Sequence, residues 1–325
     1  TKTLDRRITF TRDSLGTYTD ENGLVKYASN NVPRFDHDPA TGESLGLLIE
    51  ESRTNLFTYS ENFDSWGTAY RTTISLNAAI SPSGQLNASK FNVTTDTGYH
   101  ARSFSITGGT YTVSIFAKAG EYNGIQITGS NTNQDHACFN LVNGTAYHSG
   151  TNVTNIENYG NGWYRCSARL PLSNGNLFVA ITDGTTTSWL PSFAGSSATD
   201  GIYIWGAQVE AASFTTSYIP TSGSTVTRAA DIPKIEGTNL TSFYNDTEGT
   251  VFAEYQNLKT NDTNGRVWDI GNNQNQTFVI NAASSTTVQG QFYNSSGNGY
   301  EYNPGAVSAT NAFNKVALGM KNNNT

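Results

Sequence analysis

Apolar and polar residues alternate along this chain in short runs, a period of two that puts every second side chain on one face of an extended strand. Ile8-Thr9-Phe10-Thr11-Arg12 alternates in this way, and Leu15-Gly16-Thr17-Tyr18-Thr19 does so again. Asp20-Glu21-Asn22-Gly23 reads as a turn, and Leu24-Val25-Lys26-Tyr27-Ala28 returns as the partner strand. Such a hairpin is too small to be stable alone and must lean on a subunit or a following domain. From Asn62 to about Ala212 the signals recur at the spacing of a β-sandwich. Tyr111, Val113, Ile115 and Ala117 share one face of a strand that follows Gly108-Gly109. In Trp163 to Leu170, the side chains of Tyr164, Cys166, Ala168 and Leu170 point inward, and those of Trp163, Arg165, Ser167 and Arg169 point outward. Ile125 to Ile127, Asn176 to Thr182 and Ile202 to Val209 complete the strands that the pattern defines.

Phe214 to Pro233 is polar and extended and reads as a linker anchored by Tyr218 and Ile219. Five further strands follow, at Gly249 to Tyr255, Arg266 to Ile270, Thr277 to Ile280, Val288 to Tyr293 and Asn314 to Met320. The chain therefore reads as all-β, in four parts: an N-terminal hairpin with a docking loop (1–56), a β-sandwich (57–213), a linker (214–236) and a second sandwich (237–325). The last part stops where another strand is expected, so it reads as incomplete, with the polypeptide continuing or another chain completing it.

Composition supports strands. Helix formers are scarce, whereas Thr, Ser, Asn and Gly abound beside 17 Tyr and 16 Phe. The net charge of −7 argues against a nucleic-acid partner, which needs a basic footprint, and no apolar run approaches the length of a spanning helix, so membrane insertion is not expected. Charge is also uneven. Residues 1–61 hold 7 Lys plus Arg and 10 Asp plus Glu, 17 of the 45 charged residues in the whole chain. Dense charge of both signs suits a segment that pairs with a neighbouring protein, where charges set register and specificity. Pro33 and Pro39 push Val32 and Asp38 toward extended conformations and forbid a helix through the intervening loop. The attachment residues expected here are Pro33, Arg34, Phe35, Asp36, Asp38, Glu50 and Arg53; a merely solvated hairpin is the alternative reading.

Candidate chemistry is sparse. His37, His100, His136 and His148 are too scattered for a local metal or triad signature, and no nucleophile elbow, zinc helix or phosphate loop occurs. Glu254 and Asp269 are lone acids on separate strands, which gives no support to the paired carboxyls of a glycosidase. The run Asp36-His-Asp38-Pro-Ala-Thr-Gly42-Glu43 resembles a calcium loop only superficially, because Ala40, Thr41 and Leu47 occupy positions that need a ligand, a glycine and a glutamate. No cofactor is expected; a structural calcium stays open, with no ligands identified. Cys138 shares a face with His136 and Asn140, whereas Cys166 belongs to an apolar face, so the two are expected to stay reduced. Trp66, Tyr99, Tyr147 and Trp189 lie in polar, Gly-rich surroundings where a ring can stack on a sugar, with core packing as the alternative for each. Trp163 and Trp205 read as structural. Neutral hydrogen-bonding groups beside these rings, with a net charge of −7, favour uncharged sugars.

The run VPRFDHDPATGESLGLLIEESRTNL, followed by Tyr59-Ser60-Glu61-Asn62-Phe63 and Trp66, resembles a segment of structural proteins of tailed bacteriophages, marine phages and prophages in particular. The likeness is specific over Thr9 to Phe63, looser over the sandwich, and visible again at TSYIPTSGSTVTRAAD and EGTVFAEY. It implies a first sandwich like the jelly roll of carbohydrate-binding modules and a second like concanavalin A or laminin G domains. It also implies a non-catalytic tail fibre, spike or capsid fibre exposed on the virion, trimeric, assembled in the bacterial cytoplasm and held to other virion proteins by its N-terminal segment. Weak multivalent glycan adhesion to the host surface is the expected role. A purely structural virion adaptor and a polysaccharide hydrolase with accessory modules are the rivals. If residues 1–56 carry attachment alone, removing residues 1–55 leaves a folded fragment.

Overall fold

The computed structural model describes residues 3–129, 136–148, 153–172, 175–245, 248–256, 265–272, 275–284, 287–293, 299–302 and 313–321. They are nearly all β, with 53% strand, one short α-helix at Thr238–Thr241 and one 3-10 turn at Phe63–Ser65. The chain divides into two compact units, Thr1–Lys234 and Ile235–Thr325.

Two six-stranded antiparallel sheets form the centre of the first unit. Sheet one runs, in spatial order, Thr145–His148, His136–Asn140, Gly124–Gly129, Gly175–Thr182, Ala101–Ile106 and Ala69–Tyr70. Sheet two runs Val153–Asn158, Trp163–Leu172, Gly109–Lys118, Gly201–Glu210, Leu86–Val93 and Thr72–Ile80. Alternation decides what lies between them. Ile125, Ile127, Phe139, Leu177, Val179 and Ile181 from sheet one meet Val113, Ile115, Ala117, Cys166, Ala168 and Leu170 from sheet two in one continuous core. These are the inward faces that the period of two specifies. At Gly206 (φ +60°) the register between Gly109–Lys118 and Gly201–Glu210 slips by one residue, and a Cβ there would lie 2.9 Å from the Phe116 ring. Only glycine fits this bulge.

The outer face of sheet two is covered as well. Phe116, Trp163, Trp205 and Ala88 project from it into a second buried cluster that Val25 and Tyr218 close from above. Trp205 and Tyr218 approach with ring centroids 4.7 Å apart, and Phe116 and Trp205 with centroids 5.2 Å apart. Trp163 thus points outward, as its place in the strand dictates, and is buried all the same. The cover is built from the N-terminal segment together with the stretch read above as a linker. Thr9–Thr11 pairs with Ile232–Lys234, and Arg53–Asn55 with Val226–Arg228. Within the cover, Gly16–Thr19 pairs with Val25–Ala28, and Phe35–His37 with Ser44–Leu47.

This corrects two expectations. The stretch 214–234 is part of the first unit's sheet system, and 1–56 is the lid of sheet two within the same unit, so the hairpin gains its support from its own chain. Removing residues 1–55 would take away Val25 and the strands that pair within the cover, leaving Tyr218 alone over Phe116 and Trp205, so the remaining fragment is expected to lose stability.

In the second unit, Glu248–Gln256 pairs with Phe313–Lys321, and Gly265–Asn272, Asn275–Ser284, Thr287–Tyr293 and Gly299–Tyr302 form a four-stranded antiparallel meander. The strand Gly299–Tyr302 has no counterpart in the sequence reading: its run Gly-Tyr-Glu-Tyr carries no aliphatic residue to mark an apolar face.

Candidate ligand-binding face

The charged residues of the docking loop converge, but on one another. Arg34 is fully buried, pairs with Asp231, and lies 2.8 Å from Glu50. Arg12 Nη1 reaches Asp231 at 3.1 Å, and Arg228 Nε lies 3.5 Å from Glu50. Three guanidiniums thus surround two carboxylates, with only the Glu50 side chain retaining a slight exposure to solvent. Further polar atoms bond to neighbouring groups: Arg12 donates to the carbonyls of Ser14, Ala28, Ser29 and Val32, and Glu50 accepts from the Ser217 N–H at 2.7 Å and its hydroxyl at 2.6 Å. Burial pushes the Glu50 carboxyl up, but Arg228, Arg34 and the Ser217 hydrogen bonds outweigh it and hold it below the usual carboxylate range.

The other loop residues are local as well. Asp36 accepts from the Thr19 N–H at 2.7 Å; burial, reinforced by Glu50, raises its carboxyl to about 6. Asp38 caps its own turn, accepting from the N–H groups of Ala40 and Thr41 and the Thr41 hydroxyl, so the calcium-like run is a hydrogen-bonded turn. Arg53 pairs with Glu51 and stacks 5.3 Å from the Phe214 ring centroid. Pro33 and Phe35 are half-buried or better. Arg34 and Glu50 are therefore unavailable to another protein. Arg12, Arg228 and Asp231, absent from the sequence-level set, are their partners. Only the Arg228/Asp231 spacing of three hinted at a pair.

Trp66 is also corrected. It is 4% exposed, stacks on Phe57 with centroids 4.7 Å apart, packs at a tilt against Phe63 at 4.9 Å, and donates Nε1–H to the Tyr59 carbonyl at 2.9 Å. Its ring fills the core, and its one polar atom is satisfied there.

Tyr99, Tyr147 and Trp189 lie elsewhere, on the outer face of sheet one. The register threads a single row across all six strands: Tyr147, Cys138, Gln126, Ala180, Ala101 and Tyr70 are successive partners. At about 4.8 Å per strand, its two tyrosines stand roughly 24 Å apart. Between them lies the segment 183–193. Fully buried Gln126 holds it by both ends of its amide, donating to the Ser188 carbonyl at 2.8 Å and accepting from the Leu190 N–H at 2.8 Å. His136 donates Nε2–H to the Thr187 carbonyl at 2.6 Å, and Asn140 donates to the Gly184 carbonyl at 2.9 Å. His136, Cys138 and Asn140 share the face that alternation assigns them, and this face anchors a loop.

On the side of the row nearest Tyr70, Phe178, Ala180, Ala101 and Leu190 form a buried floor against which Tyr70, Tyr99 and Trp189 pack, partly buried. Tyr70 and Tyr99 are 5.3 Å apart, centroid to centroid, and Tyr70 and Phe178 5.5 Å. Tyr147 stands apart at the far edge, 46% exposed. The face therefore offers a group of three rings on a rigid floor, with one outlying ring. Tyr70 escaped the sequence reading because its strand, Ala69–Tyr70, is two residues long and carries no alternation.

Both thiols are free and buried, Cys138 on the outer face of sheet one and Cys166 in the intersheet core. Burial pushes both above the ordinary thiol range, Cys166 far above it, which disfavours the nucleophilic thiolate. Among the described residues, no helix is long and apolar enough to cross a membrane. No protein-family model matches the chain, and no curated protein matches it.

Proposed function

We propose that this protein is a non-catalytic, exposed component of a tailed-phage virion, a tail fibre, spike or capsid fibre. In this reading its first sandwich is a jelly roll of carbohydrate-binding type that makes weak, multivalent contact with host-surface glycans. The observation that carries the reading is the ring group Tyr70, Tyr99 and Trp189, which stays only partly buried on a pinned floor on the outer face instead of filling the intersheet core. Planar rings of this kind match the apolar faces of pyranose sugars, and the hydroxyls of Tyr70 and Tyr99 and the loop carbonyls supply neutral hydrogen-bonding groups. A single shallow site binds near 1 mM, about −4 kcal/mol, and becomes useful through the effective concentration that a trimer supplies. The second unit belongs, in this reading, to the concanavalin A or laminin G class.

Retention of the native oligomer on a glycan array, lost on Trp189→Ala with an unchanged melting temperature, is the expected result. Failure of the native oligomer to bind any glycan would sink the reading. Sedimentation tests the trimer, and a monomer at micromolar concentration would remove the multivalency on which the affinity depends.

A second reading, a virion adaptor that packs on protein neighbours and contacts no sugar, is favoured by Leu76, Ile80 and Leu86. All three are exposed on the hairpin formed by Thr72–Ile80 and Leu86–Val93. An apolar hairpin tip is a surface for protein, not for sugar.

A further inference from the structure

Arg71 follows Tyr70 at the edge of the ring group, and its backbone lies in the left-handed region (φ +53°) that L side chains rarely adopt. Two hydrogen bonds fix it there. Its carbonyl accepts from the Thr94 N–H at 2.9 Å and from Nδ1 of fully buried His100 at 2.8 Å. The side chain is exposed, with the guanidinium 5.8 Å from the centroid of the Tyr99 ring. It lies so close over Gly98 that a Cβ on that residue would come within 2.5 Å of Arg71 Cζ.

A stacked guanidinium keeps its N–H donors free at its rim. Among the described residues, no carboxylate pairs with Arg71; Arg6, Arg165 and Arg169 also lack one, whereas Arg7, Arg12, Arg34, Arg53, Arg102 and Arg228 have acidic partners, and of these unpaired arginines Arg71 is the one beside the Tyr70–Tyr99 pair. A strained backbone, a glycine that makes room and an aromatic support together present one unneutralised cation beside a group of rings. Strain of this kind is retained where the surrounding structure over-determines it, and such positions concentrate at functional sites.

We propose that Arg71 with Tyr70 and Tyr99 forms a subsite for a carboxylated sugar. The sugar carboxylate accepts the forked N–H donors of the guanidinium, and the apolar face of the ring packs on the Tyr70–Tyr99 pair. This inference rests on the reading of the outer face as a glycan surface. It reverses the preference for uncharged sugars drawn from the net charge of −7, because at contact distance the nearest charge decides, while distant ones are screened beyond about 10 Å.

The test uses the native oligomer on immobilised oligogalacturonate and sialyllactose, each beside its methyl ester, which keeps the sugar and removes the charge. The wild type should bind the acids roughly tenfold more tightly than the esters, the loss that one charge-assisted hydrogen bond implies. Arg71→Gln should weaken acid binding by the same factor and leave ester binding alone. Arg71→Gly, which relieves the backbone, should melt at or above the wild-type temperature. Equal wild-type binding to acid and ester, or an Arg71→Gln variant that binds the acids unchanged, overturns the Arg71 subsite while leaving the glycan face standing. Binding to none of the four probes overturns the Arg71 subsite, and the glycan face falls with it only if the glycan array also finds no ligand. A melting temperature several degrees lower in both Arg71 variants assigns the arginine to the fold and also overturns the proposal.

Discussion

Replacing Asp231 by asparagine tests whether the buried charge cluster holds the N-terminal cover in place. The Asp231 carboxylate is buried, lies 3.1 Å from Arg12 Nη1, pairs with Arg34, accepts the Glu50 N–H at 2.9 Å and stands 3.9 Å from Arg228. Asp231→Asn keeps the shape but removes one of two buried negative charges facing three positive ones, and it turns an NH2 group toward arginine donors that need an acceptor. Breaking a buried ion pair by neutralising one partner costs about 3–5 kcal/mol, because the stranded charge has lost its solvation without compensation. In a unit of this size each kcal/mol is worth about 2–4 °C, so the melting temperature should fall by roughly 6–20 °C. Differential scanning calorimetry measures the shift. Hydrogen exchange should report earliest opening at Thr9–Thr11 and Ile232–Lys234, whose ladder ends next to the Arg12–Asp231 pair. A loss below about 1 kcal/mol, far short of the cost of a broken buried pair, would mean that the cover is held by the Val25 and Tyr218 packing alone and that the ion cluster contributes nothing to its attachment.

Asp36 should make stability depend on pH: its folded carboxyl keeps a proton to about 6 whereas the unfolded one loses it near 3.8, so stability declines as pH rises through that window. The full loss above it is about 3 kcal/mol, and Asp36→Asn, which keeps an acceptor for the Thr19 N–H, should flatten the decline in urea titrations between about pH 4 and 7. Trp66→Ala should cost about 3–5 kcal/mol in chemical denaturation, as removal of a buried ring does, whereas Tyr147→Ala at the exposed edge should stay within about 0.5 kcal/mol. Intact-mass analysis after alkylation under denaturing, non-reducing conditions should find two labelled cysteines; a mass lacking both labels would contradict the separate positions of Cys138 and Cys166.

The period of two was enough, by itself, to specify five of the twelve strands of the two large sheets and their inward faces, because a half-buried strand must show one apolar side to a core and one polar side to water. Val113, Ile115 and Ala117, like Cys166, Ala168 and Leu170, occupy the core that this rule assigns them. The same rule puts Trp163 and Phe116 on the outer face, and from there it is silent, since alternation cannot say whether a third layer lies above. That layer is made by residues 9–55 and 214–234, segments far apart in the chain, and only the fold brings Arg12 and Arg34 to Asp231. Opposed charges in a loop look alike in sequence whether they await a partner protein or already hold one another. The ring group was half legible for a similar reason. Tyr99, Tyr147 and Trp189 stood out by their polar surroundings, and Trp66 stood out equally, because local composition does not record burial. Tyr70 and Arg71 carried no signal at all: a two-residue strand has no period, and the left-handed backbone of Arg71 is imposed by Thr94 and by His100, a side chain twenty-nine residues away.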